Sequence, residues 1–155
     1  MNKHTATDPN GQIHTRNSKT RVYSHTVVAR LDREACEKNN IKSAEHQAEL
    51  NYDYYSGEAG HCYQDYKGNP KSCHISGKDY NNAAEFKADY PTKADYSSAL
   101  VGWAIEQDAA KSDAHYNDYF TLGWNGRLDL AQKLAQKDGS YHGYRDVTIL
   151  EATVK

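Results

Sequence analysis

Apolar and β-branched residues are concentrated in three short segments, each of which predicts a β-strand. Residues 21–31 (RVYSHTVVARL) are rich in β-branched and aromatic side chains and contain neither Gly nor Pro, which is typical of a strand. Residues 119–124 (YFTLGW) are also rich in aromatic side chains, and residues 146–154 place apolar side chains on both strand faces. We therefore expect a sheet of at least three strands.

Apolar residues at three- and four-residue steps predict helices between these strands. A helix that begins after Asp32, a predicted N-cap, has an apolar face formed by Ile41, Ala44, Ala48, Tyr52 and Tyr55. Asn39 and Asn40 divide it into two helices in one interpretation, and Gly57 or Gly60 should end it.

Three further helices are expected in the second half of the chain. Residues 79–90 predict a short helix, and Thr92 with Asp95 forms a capping box that opens the next one. Residues 127–137 predict an amphipathic helix.

Two segments are rich in turn residues. Asp8-Pro9-Asn10-Gly11 predicts the turn of a polar hairpin within residues 1–20, as an edge hairpin or as a flexible arm. Residues 60–79 predict a long loop with a short hairpin around residues 67–70, and loops of this length are often functional.

These elements predict one α+β domain over residues 1–155. A small, mainly antiparallel sheet from residues 21–31 and 119–155 would be covered on one face by helices. Residues 32–118 would be a large helical and loop insertion.

Charge is spread unevenly along the chain, although the net charge is only −2. Residues 1–44 carry a net +4, residues 45–118 a net −7, and residues 119–155 a net +1. The middle segment also contains nine of the thirteen tyrosines. This asymmetry favours an acidic, aromatic surface on the insertion.

Two stretches, TRNSKTRVYSHTVVA (residues 15–29) and LGWNGRLDLAQKLAQK (residues 122–137), resemble signatures of small proteins encoded by bacteriophages and prophages. The resemblance implies a phage accessory protein and, within that class, a defence antagonist such as an anti-CRISPR or anti-restriction factor. It implies no catalytic residues.

The acidic, tyrosine-rich insertion predicts a protein-binding face, because tyrosine is enriched at interfaces and carboxylates steer a surface toward basic partners. The expected partner is a host protein that handles nucleic acid. The candidate partner-binding residues are Asp53, Tyr54, Tyr55, Glu58, Asp65, Tyr66, Asp89 and Tyr90. The alternative is that the tyrosines are core residues and the acids simply solvated.

Direct nucleic-acid binding is a second hypothesis. Basic side chains that could neutralise phosphates lie in the N-terminal segment and the late helix, at Arg16, Lys19, Arg21, Arg127 and Lys133. The pI near 6.4 argues against a dedicated nucleic-acid-binding protein.

Four residues have side chains suited to zinc: His61, Cys62, Cys73 and His74. Adjacent ligands rarely point at one metal and no Cys-x-x-Cys pair is present, so the usual zinc spacing is absent. A Cys62–Cys73 disulfide is the alternative in an oxidising setting, and we expect no cofactor.

No catalytic motif is present. A small hydrolase or nucleic-acid-processing enzyme that uses His25 as a base is an alternative, although a strand histidine is more often structural. The polar N-terminus lacks a secretory signal, and no apolar run approaches membrane-spanning length. We therefore expect a non-enzymatic binding protein of the host cytoplasm with no membrane partner.

Overall fold

The computed structural model describes all residues from Met1 to Lys155. The chain contains eight strands and five α-helices, and the predicted α+β fold is confirmed. The residues form two compact units. We call residues 1–36 with 111–155 the β-rich unit, and residues 37–110 the helical unit.

Two antiparallel sheets of three strands form the β-rich unit. Strands β1 (Asn2–Thr7), β2 (Ile13–Ser18) and β8 (Thr153–Val154) make one sheet, in the order β2-β1-β8. Strands β3 (His25–Leu31), β6 (Phe120–Asn125) and β7 (Tyr144–Glu151) make the other, in the order β6-β3-β7. The three predicted core strands are therefore present, with β3 paired to each of the other two. The predicted strand over residues 146–154 is wrong at its end, because it stops at Glu151 and β8 belongs to the other sheet.

Strand β3 lies in the middle of its sheet because its apolar run can be buried on both faces. Val27, Val28 and Ala29 are fully buried. Helices α4 (Asp113–Asn117) and α5 (Leu128–Lys137) pack on this strand.

The predicted N-terminal hairpin forms part of a sheet and is not a free arm. Every residue of β1 pairs with a residue of β2. The turn contains Gly11 at φ 85°, a conformation that glycine adopts without steric cost.

The helical unit contains all but the first four residues of helix α1 (Arg33–Tyr55), helices α2 (Ala83–Asp89) and α3 (Lys93–Ala109), and a short hairpin of β4 (Cys73–Ile75) and β5 (Lys78–Tyr80). The predicted division of α1 at the two asparagines is wrong. Asn40 instead donates its side-chain amide to the Asp108 carboxylate at 2.9 Å, so its polar group is satisfied inside a continuous helix.

The predicted helix over residues 79–90 is wrong at its start. Its first residues belong to β5, and Asn82 caps α2 by accepting a hydrogen bond from Glu85 N at 3.0 Å. The capping box of Thr92 and Asp95 is confirmed at the start of α3.

An aromatic cluster forms the core of the helical unit. Phe86 is fully buried, and five tyrosine rings lie with centroids 5.2–5.7 Å from its own, an arrangement typical of packed aromatic pairs. These rings belong to Tyr52, Tyr55, Tyr80, Tyr90 and Tyr96.

A helix able to span a bilayer is absent from the chain.

Candidate functional site

A disulfide bond between Cys62 and Cys73 closes a loop that follows α1. Within it, Gln64 and Pro70 form an isolated β-bridge. We call residues 62–73 the stapled loop. Of the two alternatives for these cysteines, the structure contains the disulfide.

The side chain of Asp65 organises the tip of the stapled loop. Its Oδ1 accepts hydrogen bonds from the backbone N–H groups of Lys67 (2.8 Å) and Asn69 (2.9 Å), and its Oδ2 accepts one from Asn69 Nδ2 (3.2 Å). The Asn69 backbone N–H is the main reason that the pKa of the Asp65 carboxyl lies below its ordinary value. This predicted partner-binding carboxylate therefore braces the loop.

Tyr66 lies at the tip of the stapled loop with 93% of its surface exposed. The Lys67 ammonium lies 5.5 Å from the centroid of its ring. Tyrosine presents a large contact area with few rotatable bonds. A fixed backbone lowers the entropic cost of binding further. The loop thus presents an aromatic side chain that the fold leaves in solvent.

Two of the three other predicted tyrosines are not exposed with Tyr66, so the expectation of one exposed tyrosine face is wrong for them. Tyr55 and Tyr90 pack against the aromatic core, whereas Tyr54 is 43% exposed. Tyr52 and Tyr63 are buried, and burial raises the pKa of both phenols. Most phenols of the insertion therefore stabilise its interior.

The three remaining predicted carboxylates have cationic neighbours within the helical unit. Asp89 accepts hydrogen bonds from Lys78 Nζ and from Tyr80 Oη, each at 2.7 Å. The Lys78 ammonium, followed by the Tyr80 hydroxyl, lowers the pKa of Asp89.

The same pattern holds for the other two carboxylates. Asp53 Oδ1 lies 3.6 Å from Lys93 Nζ, and Glu58 Oε1 lies 3.5 Å from Lys87 Nζ. These acids contribute to the net charge of the unit, but they are not unpaired contact groups.

The proposed zinc ligands are not gathered around one point. His61 stacks on Tyr63 with ring centroids 6.2 Å apart, and His74 Nδ1 lies 2.7 Å from an Asp79 carboxylate oxygen. Cys62 and Cys73 are bonded to each other. No group of three or more His, Cys, Asp or Glu residues is placed to hold a metal ion.

The candidate nucleic-acid residues are divided between two places in the β-rich unit. Arg16 lies on β2 with its guanidinium 5.0 Å from the Tyr23 ring centroid. Lys19 and Arg21 follow β2 in an exposed turn. On the late helix side, Arg127 forms two 3.1 Å contacts with the Asp129 carboxylate, so its charge is compensated, while the exposed Lys133 lies on α5.

His25 lies at the start of β3 beside Ser24. Its Nδ1 is 2.7 Å from Ser24 Oγ, and Ser24 Oγ is also 3.5 Å from the Asn125 carbonyl oxygen. A hydroxyl shared between an imidazole and a backbone carbonyl explains this pair as a strand-end contact.

The sequence patterns did not identify three exposed apolar side chains of the helical unit. Leu50, Trp103 and Ile105 are 65%, 46% and 52% exposed. The position of Leu50 off the apolar face of α1 was a usable signal. Trp103 gave no such signal, because it follows Leu100 by three residues, a spacing typical of an apolar helix face.

Comparison with known proteins adds no relative. No protein family, no curated protein and no solved structure matches the chain.

Proposed function

We propose that this chain is a non-catalytic binding protein that docks on a protein partner through the stapled loop, with Tyr66 as the anchor. The observation that carries the proposal is the 93% exposure of Tyr66 on a loop held by the Asp65 hydrogen bonds and by the disulfide. Tyrosine is enriched among the residues that dominate binding energy, and preorganisation lowers the cost of association.

The charge of the helical unit supports a basic partner surface. The unit carries seven Lys and twelve Asp or Glu residues, a net −5. Internal pairing of individual acids leaves this net charge unchanged, so the unit attracts a basic surface over distances comparable to the Debye length. Nucleic-acid-handling proteins commonly present such surfaces.

Within this function we propose a bacteriophage accessory protein that antagonises a host defence complex, as an anti-CRISPR or anti-restriction factor, in the host cytoplasm. Support comes from the resemblance of residues 15–29 and 122–137 to phage and prophage proteins. The cytoplasm is reducing, and disulfides there are uncommon. The Asp65 hydrogen bonds would then hold the tip of the loop in the reduced protein.

Capture from host lysate tests the docking role of the loop. Wild-type protein, Tyr66→Ala and Ile105→Ala would be immobilised side by side and the bound proteins identified by mass spectrometry. Ile105→Ala is the matched control, because it removes an exposed apolar side chain from α3 of the same unit. We expect a partner that both wild type and Ile105→Ala retain and Tyr66→Ala loses.

The purified partner then gives the magnitude. We expect Tyr66→Ala to raise the Kd about 30-fold, as for an anchor residue that contributes about 2 kcal/mol. Equal retention of every captured protein by Tyr66→Ala and wild type would contradict the docking role.

A further inference from the structure

The sheet β2-β1-β8 has one buried and one exposed face. Antiparallel partners point their side chains to the same side of a sheet. His4 and Ala6 of β1 are buried at 0% and 3% exposure and mark the inner face. The alternate residues of β1 therefore mark the outer face, together with their cross-strand partners.

The outer face carries no carboxylate side chain. The register pairs Lys3 with Asn17, Thr5 with both Thr15 and Thr153, and Thr7 with Ile13. Reciprocal 2.9 Å backbone hydrogen bonds place Lys155 opposite Lys3. All these residues are exposed except Thr5, which is half-buried. Apart from the exposed Ile13, the face thus presents hydroxyl, amide and ammonium groups, all of which can donate hydrogen bonds.

Positive charge accumulates at one end of this sheet. The backbones of Lys3 and Lys155 lie opposite each other there. The segment that follows Ser18 of β2 contains Lys19 and Arg21. None of these four cations has a carboxylate partner.

The only acid in residues 1–22 and 153–155 is Asp8. It is buried, and it is engaged by His14 Nε2 at 2.7 Å and by the backbone N–H groups of Asn10 and Gln12. Its charge is therefore compensated locally. The sheet is strongly positive within a chain of net charge −2.

We propose that the outer face of the sheet β2-β1-β8 binds the phosphate backbone of double-stranded nucleic acid. Phosphate oxygens are bound by Lys, Arg, Thr and Asn side chains, which are the side chains that this face and its positive end supply. The inference is independent of the stapled loop, which belongs to the other unit.

The shape and composition of the face favour a duplex over a single strand. Single-stranded nucleic acid is bound by stacking of bases on aromatic side chains, and no aromatic residue lies on this face. The three-stranded face is wider than the two-stranded ribbon that a major groove admits, so it suits phosphate contacts across the outside of a duplex.

The salt dependence of duplex binding tests the proposal. Each neutralised phosphate contributes a slope of about −0.9 in log K against log salt, so four cations predict a loss of about 100-fold in affinity between 50 and 200 mM salt. Fluorescence anisotropy of a labelled duplex of about 20 base pairs, titrated with the full chain at each salt concentration, would measure this loss of affinity.

Two double variants locate the binding face. Lys3→Gln/Lys19→Gln should reduce the loss over the same salt range to about 10-fold. Lys42→Gln/Lys137→Gln changes the net charge equally on the exposed surfaces of α1 and α5 and should behave as wild type. Circular dichroism would confirm that both variants are folded.

Three results would overturn the proposal. The first is an unchanged salt slope in the folded Lys3→Gln/Lys19→Gln protein, and the second is a reduced slope in the control. The third is binding of heparin or of single-stranded oligonucleotide without measurable duplex binding at 50 mM salt.

Discussion

Asp8 illustrates how a single side chain determines a local structure. The buried carboxylate accepts hydrogen bonds from two backbone N–H groups of its own turn and from His14 Nε2. Burial by itself would raise the pKa of Asp8, but the His14 hydrogen bond and the two backbone donors outweigh it and lower the pKa. The ionised form therefore stabilises the hairpin.

The linkage between this pKa and folding predicts an acid dependence. Because the folded pKa lies below the unfolded value of about 3.9, the stabilising contribution is complete above that pH and is lost as pH falls through the folded pKa. Denaturant titrations of wild type and Asp8→Asn should differ most above about pH 5 and converge in stronger acid. A difference independent of pH would contradict this account.

The stapled loop shows the same principle at the scale of an element. Its disulfide joins residues 11 positions apart, and the Asp65 hydrogen bonds organise the tip. Closing the loop with a disulfide reduces the number of conformations available to the unfolded chain. The disulfide is therefore expected to stabilise the helical unit.

Removing the disulfide should lower stability without rearranging the core. The chain-entropy relation for a loop of this size gives a loss of about 2–3 kcal/mol for Cys62→Ser/Cys73→Ser. Urea denaturation followed by circular dichroism would measure the loss, with Cys36→Ser as the control for replacement of a cysteine outside the disulfide. Equal stability of the double variant and the control would argue against a stabilising disulfide.

Elements with a strong local signal were predictable, and contacts between elements were not. The β-branched run around Val27 and the capping box at Thr92 carry their signal in neighbouring residues. The β4–β5 hairpin was missed because three-residue strands are too short to show alternation, and its turn places Ser76 at φ 54°. The partner of Asn40 in α1 is Asp108, which lies 68 residues farther along the sequence.

At the scale of the molecule, the charge map was predictable and the placement of the aromatic rings was not. The acidic segment identified from sequence largely coincides with the helical unit of net −5. Tyrosine occurs both in protein cores and at interfaces. The sequence therefore does not predict that Tyr80 is 1% exposed and Tyr66 is 93% exposed. The sequence therefore predicts more partner-binding tyrosines than the structure exposes.

The aromatic core predicts a large effect for one substitution. Phe86→Ala leaves a cavity among five tyrosine rings and should lower the free energy of unfolding by about 3–5 kcal/mol. Trp103→Ala removes a half-exposed ring and should cost much less. Denaturation followed by near-ultraviolet circular dichroism would compare them, and similar losses for the two variants would contradict the assigned core.

Hydroxyl-radical footprinting of Tyr66 in the complex with the captured partner tests the central claim most directly. We predict that partner binding lowers oxidation of Tyr66 severalfold and leaves Tyr141, an exposed tyrosine of the β-rich unit, unchanged. Unaltered oxidation of Tyr66 in a fully formed complex would contradict the account.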